Sequence, residues 1–246
     1  MEPISKNKIK WIRSLHQKKF RDQENCFILE GKKSVLEAIE IVPNLVKTVV
    51  TEPSEQLKNL PNTIELLHAS RLDFEKMSTL KTPQPCLAVI EKLPYKLLAH
   101  RGIILVLDHI QDPGNLGTII RLADWFGIDQ IVCSENTVDL YNPKVVQATM
   151  GSLFRVKVHY KNLVKYLDKV KIPIYGALLE GKNIYQENLP NDAILVLGNE
   201  GNGISEEIKP FIQNPITIPR FGQAESLNVS MATAVLLSEF KRGTVN

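Results

Sequence analysis

The sequence predicts an α/β protein in two parts, a small N-terminal α/β domain over residues 1–95 and a parallel-sheet domain over 96–246. Three observations carry that expectation. Apolar runs of strand length recur along the chain, with helical patterns between most of them. In the second part the runs are continuous rather than alternating, so both sheet faces are covered, as in a parallel sheet flanked by helices. Between the two parts, Lys92-Leu93-Pro94-Tyr95 to Gly102 mixes Pro, Lys and His between apolar strands, which suits an interdomain connection.

In chain order, Ile9, Ile12 and Leu15 fall on one face of a helix, Cys26–Leu29 reads as a strand, and Val35–Ile39 fits a second helix ended by Pro43. Val46–Thr51, Ile64–Leu67 and Cys86–Ile90 are strands separated by polar helical stretches at 55–59 and 72–77. The second part offers strands at Ile103–Leu107, Gln130–Cys133, Val156–Tyr160, Ile172–Leu179, Ile194–Leu197 and Ile216–Ile218. A turn at Pro113-Gly114-Asn115 opens a helix to about Phe126. Another helix follows Asn228, with Val229, Ala232, Ala234, Val235 and Leu236 facing inward. In such a sheet a ligand sits beyond the carboxyl ends of the strands, so the residues just after each run are the informative ones.

The composition, 246 residues with 43% hydrophobic and 23% charged, excludes disorder, collagen and a disulfide scaffold. The net charge of +3 is uneven: residues 1–33 hold nine Lys or Arg against four Asp or Glu, and the remainder is net minus two. Split at residue 95, the first part has 15 basic and 12 acidic residues and the second 15 of each. Cys26, Cys86 and Cys133 are too far apart for zinc-ligand or redox-motif spacing, and an odd count argues against a disulfide framework. Reduced thiols, and no apolar stretch of signal-peptide or membrane-span length, lead to the expectation of a cytoplasmic protein without a metal site or membrane contact.

Three strand-end segments carry the chemistry. Asp112-Pro113-Gly114-Asn115-Leu116-Gly117 is followed by Arg121. Asn115 and Arg121 stand six residues apart, about 1.7 helical turns, so they share no stripe; Asn115 is expected at or before the helix start to converge with Arg121. The second segment, Leu197-Gly198-Asn199-Glu200-Gly201-Asn202-Gly203, brings exposed backbone close to a ligand. Its glycine order, Gly-x-x-Gly-x-Gly, is not that of a dinucleotide-binding turn. The third runs from Ile218-Pro219 to Ser226-Leu227-Asn228-Val229-Ser230, where Ser226 or Asn228 is a candidate helix cap and no nucleophile elbow is present.

Taken together and in order, the three segments resemble the motifs of the SpoU, or TrmH-like, class of the SPOUT superfamily of RNA 2'-O-ribose methyltransferases. Residues 1–95 resemble the family's substrate-binding domain more weakly, through Ser5, Asn7, Ile9-Lys10, Leu15, Lys18, Arg21, Phe27 and Glu30-Gly31. The resemblance implies a parallel α/β catalytic domain closed by a deep trefoil knot, and a homodimer whose site lies beside the partner subunit. It also implies S-adenosylmethionine as cofactor, held near Leu178, Gly198, Gly203, Ile218 and Leu227. Arg121 is the implied central catalytic residue, with Asn115, Glu200, Ser226 and Asn228 around it and Glu200 able to hold Arg121 by a bidentate pair. RNA is the implied partner, ribosomal rather than transfer RNA.

The basic N-terminus supplies candidate RNA contacts at Lys6, Lys10, Arg13, Lys18 and Arg21, with Trp11 and His16 interleaved for stacking. A second basic cluster comprises Arg155, Lys157, Lys161, Lys165, Lys169 and Lys171. Within it Lys161, Lys165 and Lys169, four residues apart, are expected on one helix face that reads as solvated surface rather than an RNA contact. Two rival readings are an RNA-binding module of the same fold without methylation and a nucleotide-dependent oxidoreductase. The complete set of motif residues argues against the first, and the glycine order against the second.

Overall fold

The apolar runs become the strands of two sheets. The computed structural model describes residues 2–55, 57 and 60–243; the stretch expected to be helical at 55–59 lies largely outside them. The first elements are β1 (Glu2–Pro3), α1 (Lys6–Ser14), α2 (Lys18–Glu24), β2 (Cys26–Glu30), α3 (Lys32–Ile41), β3 (Val46–Thr51), β4 (Glu65–His68), α4 (Arg71–Met77) and β5 (Cys86–Glu91). Then come β6 (Ile103–Leu107), α5 (Pro113–Trp125), β7 (Gln130–Ser134), α6 (Pro143–Thr149), β8 (Lys157–Lys161), α7 (Leu163–Leu167), β9 (Ile174–Asn183), β10 (Ala193–Leu197), β11 (Asn214–Thr217) and α8 (Val229–Arg242). No helix among the described residues is long and apolar enough to cross a membrane.

The chain divides into two compact units, Met1–Pro94 with Asp139–Phe154, and Tyr95–Val138 with Arg155–Asn246. The split near residue 95 thus has a complication: residues 139–154, placed by the sequence pattern in the second part, belong to the first unit. Long-range contacts explain it. Arg21 is 2% exposed and its guanidinium donates to Asp139 at 2.6 Å and to the carbonyls of Leu15 and His16 at 2.9 and 2.7 Å. The Tyr141 ring lies 4.8 Å from that of Phe27, and α6 packs on β2.

The first unit has a sheet of order β1-β4-β3-β5-β2, parallel from β1 to β3 and antiparallel through β5. Ile9, Ile12 and Leu15 bury the apolar face of α1 in a core with Phe74, Met77, Leu87 and Val89. Removing such side chains from water stabilises by about 1.5–3 kcal/mol each.

The second unit holds a sheet of order β11-β9-β10-β6-β7-β8, parallel throughout. β6, β7 and β10 are buried along their whole length, as continuous apolar runs require. On α8 the buried face is Val229, Ser230, Thr233, Leu236, Leu237 and Phe240, while Ala232, Ala234 and Val235 are half-buried. From β6 the chain builds outward through β7 and β8, then returns to the other side for β9, β10 and β11. The strand order therefore reverses between β6 and β10, the place where a doubly wound sheet opens a crevice at its carboxyl ends.

Candidate active site

The register Leu107↔Leu197 sets the exits of β6 and β10 side by side, so the residues after each run meet. Asp108, 1% exposed, accepts a hydrogen bond from the Ser205 amide at 2.8 Å and lies 2.9 Å from His109 Nδ1. His109 takes a left-handed backbone, φ +58°, uncommon for a residue with a side chain. Its amide donates to Ser134 Oγ at 2.9 Å, and its carbonyl accepts from Asn199 Nδ2 at 2.9 Å. Asn199 Oδ1 in turn accepts the amides of Gly201 and Asn202 at 2.9 and 3.1 Å. Asn199 and Gly203 exchange backbone hydrogen bonds at 2.9 Å, closing the turn. The turn is so tight that a Cβ on Gly198 would lie 2.2 Å from the Gly203 carbonyl carbon, and Gly203 has φ +68°. Both positions demand glycine for these reasons.

A chain of side-chain hydrogen bonds joins the three segments. Asn228 caps α8: its Oδ1 accepts from the amides of Ser230 and Met231 at 2.9 and 3.4 Å and from Ser230 Oγ at 2.6 Å. With its oxygen so engaged, Nδ2 donates to Asn115 Oδ1 at 3.0 Å. Asn115 is thereby oriented to donate its own Nδ2 to Glu200 Oε1 at 2.8 Å. The Asn115 amide is tied to the helix cap Asp112 at 2.8 Å. Two carboxamides thus hold a carboxylate at the mouth of the β6/β10 crevice, each with its donor and acceptor ends assigned by its neighbours.

The chain matches the model of the SpoU rRNA methylase family over residues 102–238. The chain belongs to that family. Residues 6–88 match the MRM3-like substrate binding domain. The 23S rRNA (guanosine(2553)-2'-O)-methyltransferase RlmP of Bacillus subtilis strain 168 is 35% identical over 96% of this chain and 97% of that protein. A solved structure of a TrmH-family protein from Porphyromonas gingivalis superposes with a TM-score of 0.88 at 41% identity, covering 98% of this chain and 99% of that one. An AdoMet-bound rRNA methyltransferase from Sinorhizobium meliloti superposes with a TM-score of 0.89 at 28% identity, covering 100% of this chain and 98% of that one. The chain is thus a SpoU-type RNA methyltransferase.

Within the SpoU frame, the structure joins Asn115, Glu200 and Asn228 and leaves Arg121 and Ser226 apart from them. Asn115 is the third residue of α5, not a residue at or before its start. Arg121 is exposed and has no ion-pair partner among the described residues, so the expected pair with Glu200 is not formed. The reason is the helical period: six residues turn Arg121 about 120° away from Asn115, and Asn115 occupies the Glu200 carboxylate instead. Ser226 is exposed, and the helix cap falls to Asn228. Asp108 and His109 shape this site without being among the expected site residues, and Asn199 stands in the second segment with no role assigned from the sequence; for Asp108 the available signal is an acidic residue directly after a buried apolar run.

The positions implied to hold S-adenosylmethionine lie on neighbouring strands. Leu178 is on β9 between β10 and β11, and Thr217 Oγ1, beside Ile218, donates to the carbonyl of Leu179 at 3.2 Å. Gly198 lies two residues past the Val196↔Gly176 pair, level with Leu178. Aliphatic Leu178 and Ile218 beside the tight Gly198 turn suit the apolar face of a nucleoside such as that of S-adenosylmethionine. Leu227 is exposed one residue before Asn228, and Gly203 closes the turn described above.

In the first unit, Lys6, Lys10 and Arg13 lie on one exposed stripe of α1, opposite buried Ile9 and Ile12, and Lys18 is exposed at the start of α2. Arg21 is not available to RNA, being buried in its pair with Asp139. The stacking candidates are held as well: Trp11 Nε1 donates to Glu24 at 3.1 Å and His16 Nε2 lies 2.7 Å from the Met77 carbonyl.

Proposed function

We propose that the protein methylates a ribose 2'-hydroxyl, that of a guanosine, in large-subunit ribosomal RNA, and that it does so in the cytoplasm as a homodimer. The carrying observation is the hydrogen-bonded run from Glu200 through Asn115 to Asn228, which builds one site from all three family motifs. The substrate reading is supported by curated relatives named for guanosine 2'-O methylation of 23S rRNA, among them RlmP and, at 33% identity over 60% of this chain, RlmB of Neisseria meningitidis. The cytoplasmic reading is supported by Cys26, Cys86 and Cys133, all free and buried. Burial pushes the Cys86 thiol up to about 12, far from a reactive thiolate.

S-adenosylmethionine, when bound, supplies a methyl group activated by its sulfonium. Leu178, Gly198, Ile218 and Leu227 would hold it, and the knot expected for the fold would be part of that holding. The remaining task is to align a hydroxyl oxygen and dispose of its proton. Alignment alone is worth several kcal/mol of barrier. Asn115 and Asn228 are neutral, so they orient a sugar without adding charge, and they keep the Glu200 carboxylate in place. A guanidinium does not give up its proton in proteins, so Arg121 acts as a cation that stabilises the forming alkoxide or binds the phosphate beside it.

The dimer reading is supported by large apolar side chains left in water. In the second unit Phe221 is 96%, Trp125 84%, Leu179 76% and Met231 61% exposed, large apolar side chains that a second subunit would cover. Trp125 is one turn beyond Arg121 on α5, so a covering subunit would also border Arg121.

Incubating the protein with tritiated S-adenosylmethionine and ribosomal RNA tests the reading. Label should enter RNA, and Arg121→Ala should cut transfer at least 100-fold while donor affinity by calorimetry stays within about threefold. Loss of donor affinity instead would remove Arg121 from the role assigned to it.

A further inference from the structure

Five lysines lie along one segment of the second unit, from the free edge strand of its sheet through α7 to the connection that leads to β9. Lys157 and Lys161 are on β8, the outermost strand on that side; Lys165 is on α7; Lys169 and Lys171 follow it. They do not form a single helix face, because α7 spans only Leu163–Leu167 and Lys161 belongs to the strand. Lys161, Lys165, Lys169 and Lys171 are exposed, Lys157 is half-buried, and none makes an ion pair among the described residues. Several other cations of the same unit are neutralised: Arg155 pairs with Asp124 at 2.7 Å, Lys209 with Glu206 at 2.5 Å and Arg242 with Glu239 at 2.7 Å.

The second unit has 14 basic and 14 acidic residues, so this edge is a local segregation of charge and not a share of a general surplus. Asp129, Glu135 and Asp168 border it and are exposed, yet none pairs with these lysines. Burial, then the charges of Lys161 and Lys157, hold the His159 imidazole below its ordinary range, which is a second sign that the field here is positive.

The edge begins at the site. Lys161 is in register with Ser134 on β7, and Ser134 Oγ accepts the amide of His109 in the crevice. Two strand spacings of about 4.8 Å put the Lys161 backbone about 10 Å from that of β6, at the same carboxyl end. From there the lysines run back along β8, about 13 Å from Lys161 to Lys157 at the usual rise per residue. Lysine on an edge strand also discourages strand pairing. That accounts for Lys157 and Lys161 but not for Lys165, Lys169 and Lys171, which lie off the strand.

We propose that this edge is a phosphate track: it binds the RNA backbone flanking the target nucleotide, so that the catalytic unit grips its substrate independently of the basic stripe on α1. This rests on the methylation reading above. Point charges at the ends of flexible stems suit phosphate contacts that position RNA without reading its sequence.

The test uses the full chain, fragmented ribosomal RNA and a series of salt concentrations. Each phosphate that a variant no longer neutralises should take about 0.7–0.9 from the slope of log affinity against log salt. The triple variant Lys161→Gln, Lys165→Gln, Lys169→Gln should therefore reduce the slope by about 2–3, with S-adenosylmethionine affinity unchanged. The matching Lys→Arg triple should keep the wild-type slope. A control that removes the same charge from paired positions, Lys182→Gln, Lys209→Gln, Arg242→Gln, should reduce it by less than about 1. Equal reductions in both Gln triples would show a net-charge effect and overturn the track, as would an unchanged slope in the first. If the wild-type protein transfers label to RNA while the track variants bind as it does, only this proposal fails; if the wild-type protein neither binds nor labels ribosomal RNA, both fail.

Discussion

The two units use polar residues in opposite ways. In the first, the decisive interaction is ionic and internal: the Arg21 guanidinium is buried and satisfied by Asp139 and two carbonyls, tying residues 139–154 to the N-terminal sheet. On α1 the exposed Lys6, Lys10 and Arg13 have no ion-pair partners among the described residues, while the half-buried Lys8 pairs with Glu65 at 2.6 Å. In the second, the decisive interactions are between neutral amides and one carboxylate, and they sit at the surface of a crevice. The contrast is what the chemistry asks for. A recruiting unit needs free charge outside and a rigid frame, whereas a site that moves a methyl group needs orientation with little competing charge.

The largest expected effect breaks the comparison on its structural side. Arg21→Ala leaves Asp139 without its cation in a poorly hydrated place and should destabilise the protein by about 3–5 kcal/mol. Chemical denaturation followed by fluorescence checks it. The variant should show wild-type RNA affinity at low temperature, where it is still folded; a stable variant that has lost RNA binding would return Arg21 to the RNA-contact set.

A smaller effect sharpens the functional side. Replacing Lys6, Lys10 and Arg13 together by Gln should leave stability within about 0.5 kcal/mol, as expected of exposed positions. It should lower the salt slope of RNA binding by about 2. Filter binding across 50–300 mM salt, about the range where counterion release dominates, measures it. If the slope is unaffected, the α1 stripe is solvated surface.

The smallest effect concerns pH. His159 is buried between Lys157 and Lys161 on β8, with Tyr95 edge-on to its ring at 6.2 Å. Its folded pKa lies below the ordinary value of 6.5, so the unfolded chain takes up the proton first. The stability contributed by neutral His159 is complete above about 6.5 and declines as pH falls through it. Denaturation midpoints at about pH 7.5 and 5.5 should differ more for the wild-type protein than for His159→Gln.

Much of the molecule is legible in the sequence because period and punctuation are local. The β6, β7 and β10 runs and the Pro113 turn follow from neighbours in the chain, whereas the motif residues come from the family resemblance. What escapes depends on distant partners. Arg21 reads as one more cation in a basic stretch until Asp139, 118 residues away, is placed beside it. Residues 139–154 carry no composition signal of belonging to the first unit; Tyr141 against Phe27 supplies it. The expectation of Asn115 outside the helix rests on its convergence with Arg121. The structure satisfies Asn115 through Glu200 and Asn228 instead, so that premise fails while the helical arithmetic stands. Asp108 and His109 give only a weak cue, an acidic residue at a strand exit, and their work of holding the Asn199 turn emerges only with β10 alongside β6.

The most direct measurement is a map of alkali-resistant linkages in ribosomal RNA from cells that lack this protein. One 2'-O-methylated guanosine of the large subunit should be missing, restored by the wild-type protein and not by Arg121→Ala or by Asn115→Ala, which cuts the hydrogen-bonded run at its centre. An unchanged map, or restoration by both variants, would contradict the account.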